Sequence, residues 1–260
     1  MFRVEPNFAL APERVDALHA VDLRLSFGFH GDIQMPFNPD YTQQLTVLGV
    51  TSEDYARAAT FADQLQPGRD VLAQEHSGKA GKHDFSELVG RTGKLARNTY
   101  GVTPEDTHNL INGAAAVFGS GLETPLAATW EKYRRLHIID PILHAGGRAA
   151  MRGVCVWHAD ATETQLQEFL NRRFPVFGPP TSERALVRYY MGAESRFRNN
   201  RTLEQLGDAA LTMNTSGPER PILGYTGGGA HRKDLERKLR AHGIPFRTEL
   251  FSPDWQKRHK

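Results

Sequence analysis

His231, Arg232 and Lys233 follow three consecutive glycines, Gly227, Gly228 and Gly229, between an apolar stretch (PILGYT) and a charged one (RKDLERKLRA). Backbone N–H groups in a glycine-rich turn have no side chain in front of them, and a helix starting there adds partial positive charge. That combination suits a phosphate. The basic side chains strengthen the attraction, although cations at a helix N-terminus oppose the helix dipole. The spacing matches neither GxxxxGKS/T nor GxGxxG. The expectation is therefore an anion contact through Gly227, Gly228, Gly229, Arg232 and Lys233, with His231 available for proton transfer. The alternative is a tight turn in which the glycines only reverse the chain.

Two further clusters carry similar chemistry. His76, Lys79, Lys82 and His83 crowd the loop EHSGKAGKHD, and Arg91, Lys94 and Arg97 follow at spacings of three, on neighbouring positions of one helix face. The cations there would neutralise phosphates, and His76 and His83 would serve as acid and base. The stretch RYYMGAESRFRNNR gathers Arg188, Arg196, Arg198 and Arg201 around Tyr189, Tyr190 and Phe197, with Glu194 as a candidate acid or base and Asn199–Asn200 as a turn. Arginines interleaved with aromatics suit a polyanion. The plainer reading of both clusters is a solvated loop and solvated helix faces. In WEKYRRLHIID, Trp130, Tyr133 and His137 share a helix face, which fits core packing better than base stacking. His158 and Asp160 form an HxD pair of the kind that opens a two-histidine, one-carboxylate iron site. Asp160 also stands three residues before Glu163, where it would cap a helix. The cap is the expectation, and neither metal nor cofactor is assigned.

The elements that must position these groups are partly legible. TSEDYARAATFADQL, TPEDTHNLINGAAAVFG, TPLAATWEKYRRLHIID, TETQLQEFLNRRF, TSERALVRYYMGAESRF and TLEQLGDAALTM each open on a capping residue and continue at helical spacing. VDLRLSFGFHG, RGVCVWHA, PILGYT and PFRTELF read as strands. The fold class expected is α+β: a helix-rich body with a small mixed sheet over residues 1–213, and a basic C-terminal βαβ unit over 218–260 packed on it. NTSGPER separates the two.

Composition sets the outer limits. A chain of 260 residues with 39% hydrophobic and 24% charged residues has core enough to fold unaided. No apolar run approaches the ~20 residues that span a bilayer, and MFRVEPNFALAPERVD has charges where a signal peptide needs apolar residues. The single cysteine, Cys155, excludes an intramolecular disulfide and fits a reducing, cytoplasmic setting. Net charge is only +2, yet residues 219–260 carry ten basic against five acidic residues, so an anionic partner would be drawn to that end.

YT, a turn, a helix and then GIPF resembles the first βαβ unit of a glutaredoxin-type fold over about 30 residues. The positions where that family carries its cysteines hold Ala230 and Lys233 here, so its redox chemistry does not carry over. FGFHGD, with His30 before Gly31, is similar to the His-Gly of NAD-using ADP-ribosyl transferases; Tyr189 and Glu249 are the later aromatic and glutamate such an enzyme needs. The reading that joins the basic clusters is a protein handling a phosphate-bearing small molecule or a nucleic acid. Its simplest form is an enzyme that hydrolyses or transfers a group. A non-catalytic nucleic-acid-binding protein and a structural or assembly protein are the alternatives. In an enzyme, a histidine or acid shares a site with the arginines; in a binding module, a basic strip runs without one.

Overall fold

The computed structural model describes residues 8–28, 52–75, 81–82, 141–161 and 183–250, together with helical positions 164–165, 168–169 and 172. Helices and strands are both present, as expected. In chain order the elements are α1 (Pro12–Ala20), β1 (Asp22–Gly28), α2 (Ser52–Asp63), β2 (Val71–Gln74), β3 (Gly81–Lys82), α3 (Pro141–Met151), β4 (Cys155–His158), α4 (Glu183–Leu211), β5 (Ile222–Gly228), α5 (Arg232–Ala241) and β6 (Arg247–Leu250). The strands form one six-stranded sheet in the order β3-β4-β2-β5-β1-β6. Five are mutually parallel and β3 runs antiparallel to β4 at one edge. Strands β5 and β6 are joined by α5 but are not neighbours, because β1 from the N-terminal part lies hydrogen-bonded between them.

A parallel sheet needs crossover helices, and these cover both faces. All seven residues of β5 are buried, which explains its unbroken run of apolar and small residues. On one face Leu23, Leu25, Ala73, Leu223 and Tyr225 pack with Leu18 of α1, Leu203 and Leu206 of α4, and Leu235 and Leu239 of α5. On the other, Leu72 and Gly224 meet α2 at Phe61, and Gln74 reaches the carbonyl of Ile142 at the start of α3. Each such leucine buried from water contributes about 1.5–3 kcal/mol, enough for the paired faces to impose the register.

Local signals stop the helices where strands must begin. After α3, Gly153 at φ 78° donates to Ala150 while Val154 donates to Ala149. After α5, Gly243 at φ 69° donates to Arg240 while Ile244 donates to Leu239. Both ends are glycine-terminated Schellman motifs, with an apolar residue next that packs back on the helix.

Helices α1 and α3 and strands β2 and β3 were not among the expected elements, and α4 departs from expectation in its length. Residues 183–211 form a single helix, α4, where two helices and an Asn199–Asn200 turn were expected. Asn199 and Thr202 are buried in its middle. The Asn199 side chain makes tertiary contacts described below, and these outweigh its poor intrinsic helix preference.

Candidate active site

Helix α3 leads into β4 on one face of the sheet, whereas the chain leaving β5 passes through α5 on the other. The crevice between diverging crossovers, at the carboxyl ends of parallel strands, is where open sheets of this type bind ligands. Here β2 and β5 are adjacent, and the residues just beyond them meet.

Glu75 follows β2 directly and is 2% exposed. Its Oε2 accepts from the Gly228 backbone N–H at 2.6 Å, and its Oε1 accepts from Arg198 Nη2 at 2.7 Å. His231 Nε2 lies 3.1 Å from the same Oε1. Asp160, two residues beyond β4, is equally buried. It accepts from Arg198 Nη2 at 2.5 Å, from Arg198 Nε at 3.1 Å, and from the N–H of Ala161 at 2.6 Å. One guanidinium on α4 thus bridges two buried carboxylates from neighbouring strands. Burial pushes the Asp160 carboxyl above the ordinary aspartate range, and the Arg198 charge pulls against it. Beneath them Tyr225 is pushed well above the usual phenol range by burial, with the charges of Glu75 and Asp160 adding to it. It remains a neutral phenol under the site.

His231 is itself held from behind. Its Nδ1 lies 2.8 Å from Asn199 Oδ1, and Asn199 Nδ2 donates to Asp234 Oδ2 at 2.9 Å. Asn199 and Arg198 are consecutive on α4, so one turn of that helix serves both sides of the Glu75–His231 contact. This explains why residues that read as a turn stay helical.

The glycine stretch takes a form that the sequence did not suggest. Gly227 and Gly228 close β5, and Gly229 opens a 3-10 turn ending at His231. Gly228 keeps extended backbone at φ −65° and ψ 141°, and the left-handed glycines among the described residues are Gly68, Gly153 and Gly243. Because β5 and β6 both run parallel to β1, α5 carries the chain back along the sheet, and the 3-10 turn at Gly229–His231 makes that reversal without a left-handed glycine. A Cβ on Gly227 would lie 2.3 Å from the Tyr225 hydroxyl oxygen, so this glycine clears space for a buried ring. The anion that meets the Gly228 N–H is the protein's own Glu75.

The other sequence candidates scatter. Arg201 pairs with Glu204, and Arg232 turns along its helix to Glu236 at 2.8 Å. Lys233 and Arg196 are exposed. Arg188, Tyr189 and Glu194 lie on α4 and Lys82 on β3, with their side chains outside the described residues. His76, Lys79, His83, Arg91, Lys94, Arg97 and the His30–Gly31 pair lie outside them altogether. Of the residues singled out from the sequence, Arg198, Gly228 and His231 therefore come together. Glu75, Asn199 and Asp234 were missed, and Asp160 was read as a cap. Its described acceptor contacts are with Arg198 and Ala161. The signal for Glu75 was present: Val71-Leu72-Ala73 is a short apolar run of the length of a buried strand, ending in an acid. Among the described residues no group of three or more His, Cys, Asp and Glu is arranged to hold a metal ion. No described helix is long and apolar enough to cross a membrane.

Compared with protein-family models, curated proteins and solved structures, the chain matches none, so geometry alone bears on function.

Proposed function

We propose that the protein is an enzyme of hydrolysis or group transfer whose acid–base centre is Glu75 with His231, at the carboxyl ends of β2 and β5. The observation that carries this is a buried carboxylate and a buried imidazole 3.1 Å apart at the switch point of the sheet. Burial of two such groups costs stability, and active sites are where that cost is characteristically retained. Arg198 orients Glu75, and Glu75 or His231 takes or returns a proton as the substrate reacts. A phosphate-bearing substrate is the class that the basic C-terminal segment attracts. The cations closest to the centre are engaged by carboxylates, so charge attraction acts at the surface and not inside the site.

The test is turnover of p-nitrophenyl acetate and p-nitrophenyl phosphate by the full chain, alongside Glu75→Gln and His231→Gln. Each variant should lose about 10²- to 10⁴-fold in kcat, and the ratio between the two probes identifies the substrate class. Turnover unchanged in both variants would overturn the assignment.

A further inference from the structure

The hydrogen bonds around His231 determine where its protons are. Asn199 Nδ2 faces the Asp234 carboxylate at 2.9 Å, and a carboxylate only accepts, so the amide orientation follows from its partner. The atom left facing His231 Nδ1 is then Oδ1, at 2.8 Å. An amide oxygen cannot donate, so Nδ1 carries a hydrogen. A neutral imidazole protonated there presents a bare lone pair at Nε2. Yet Nε2 faces Glu75 Oε1 at 3.1 Å. Two lone pairs at that distance in a buried site repel, so a second proton occupies the contact, on the ring or on the carboxyl.

We propose that Asn199 and Asp234 are positioning residues that load the Glu75–His231 pair with one transferable proton in its resting state, making this centre a proton donor in its first step. The role in catalysis rests on the function proposed above; the proton assignment does not. Among the described residues, charged groups that face the relay include Arg198 and, through it, Asp160 on the Glu75 side, with Arg237 and Lys238 beside Asp234. Donation of the shared proton to a substrate atom leaves ionised Glu75 beside neutral His231 protonated at Nδ1. Uptake of one proton from water or from the incoming nucleophile restores the pair.

The histidine ring nitrogens of the full-length protein, followed by proton–nitrogen correlation NMR between about pH 5 and 9, test this directly. His231→Gln identifies the signals. The parent protein should show His231 Nδ1 protonated throughout the range. A spectrum showing the neutral tautomer with bare Nδ1 and protonated Nε2 would overturn the proposal without recourse to any variant. Asp234→Asn keeps an acceptor for the Asn199 amide and should retain both the spectrum and kcat within about threefold. Asp234→Leu releases the amide to flip, and should move the proton to Nε2 and lower kcat by about 10- to 100-fold, as loss of an orienting partner does at other histidine sites. A ring spectrum in folded Asp234→Leu identical to the parent's would also sink it. The expected spectra without any catalytic effect would overturn the functional role alone and leave the proton assignment standing.

Discussion

Arg198 compensates two buried carboxylates with one guanidinium, and its removal shows how much of the site is held electrostatically. Arg198→Met replaces the side chain with an apolar one of similar length and leaves Glu75 and Asp160 charged and buried. Breaking such a pair by deleting one partner costs about 3–5 kcal/mol. The deficit should be visible in urea unfolding at neutral pH. It should narrow as pH falls, because protonation removes the uncompensated charge, and Asp160→Asn in the same background should recover part of it. Arg237→Met, on the exposed surface of α5, is the control and should stay within about 0.5 kcal/mol. A loss no larger than the control's would mean that the carboxylates find other compensation.

Elements matter through their ends. Strand β5 delivers Gly228 to Glu75 only if it stays extended past Tyr225, and Gly227 lets it do so. Gly227→Ala should therefore destabilise by about 1–3 kcal/mol through overpacking against a ring that has nowhere to move. A turn needing only one flexible glycine would have tolerated it. Helix α5 is held onto β6 through Glu236, which accepts from Arg232, Arg240 and the Thr248 hydroxyl. Burial pushes its carboxyl up, but these bonds outweigh it and keep Glu236 below the ordinary glutamate value of 4.5. The folded state thus binds this proton less readily than the unfolded chain. The stabilisation is fully present above the unfolded glutamate's range and is lost as pH falls through the lower folded value. Glu236→Gln should be less stable than the parent at neutral pH and converge with it in acid, as urea midpoints across the acid limb would report. A gap of constant size would show that packing, and not charge, sets its contribution.

At the scale of the whole molecule, β2 and β5 are stapled by a carboxylate at each end. Asp70, 1% exposed, precedes β2 and accepts from the backbone N–H of Ile222 at 2.9 Å and of Gln66 at 2.8 Å. Glu75 does the same for Gly228 at the opposite end. The two ends differ in what else the carboxylate meets: Arg69 near the surface in one case, Arg198 and His231 within the interior in the other. Asp70→Ala orphans the buried Ile222 N–H and should cost about 1–3 kcal/mol, with Asp70→Asn intermediate. Amide exchange at Ile222 should quicken with it while the His231 ring signals persist. Loss of those signals in a folded variant would mean that the two ends of the sheet are coupled, not independent.

What the sequence determined by itself is local. The end of α5 at Gly243 is legible because a left-handed residue after a helix is nearly always glycine, whereas α1 and α3 went unread although Pro12 and Gly153 stand at their ends. Strands β1, β4, β5 and β6 announce themselves by apolar runs between breakers. Basic residues could be found but not their partners, since a charge counted along the chain does not reveal the acid that folding brings to it. Arg198 and Glu75 are 123 residues apart, and Asn199 and Asp234 are separated by 35. The tertiary structure decided that Asn199–Asn200 stays helical, that β1 inserts between β5 and β6, and that Glu75 ends a strand beside His231. The physical reason is common to all three. Intrinsic preferences at these positions differ by less than about 1 kcal/mol per residue. Burying a carboxylate with its donors, or a strand between two neighbours, involves several times that and exists only once distant segments have met.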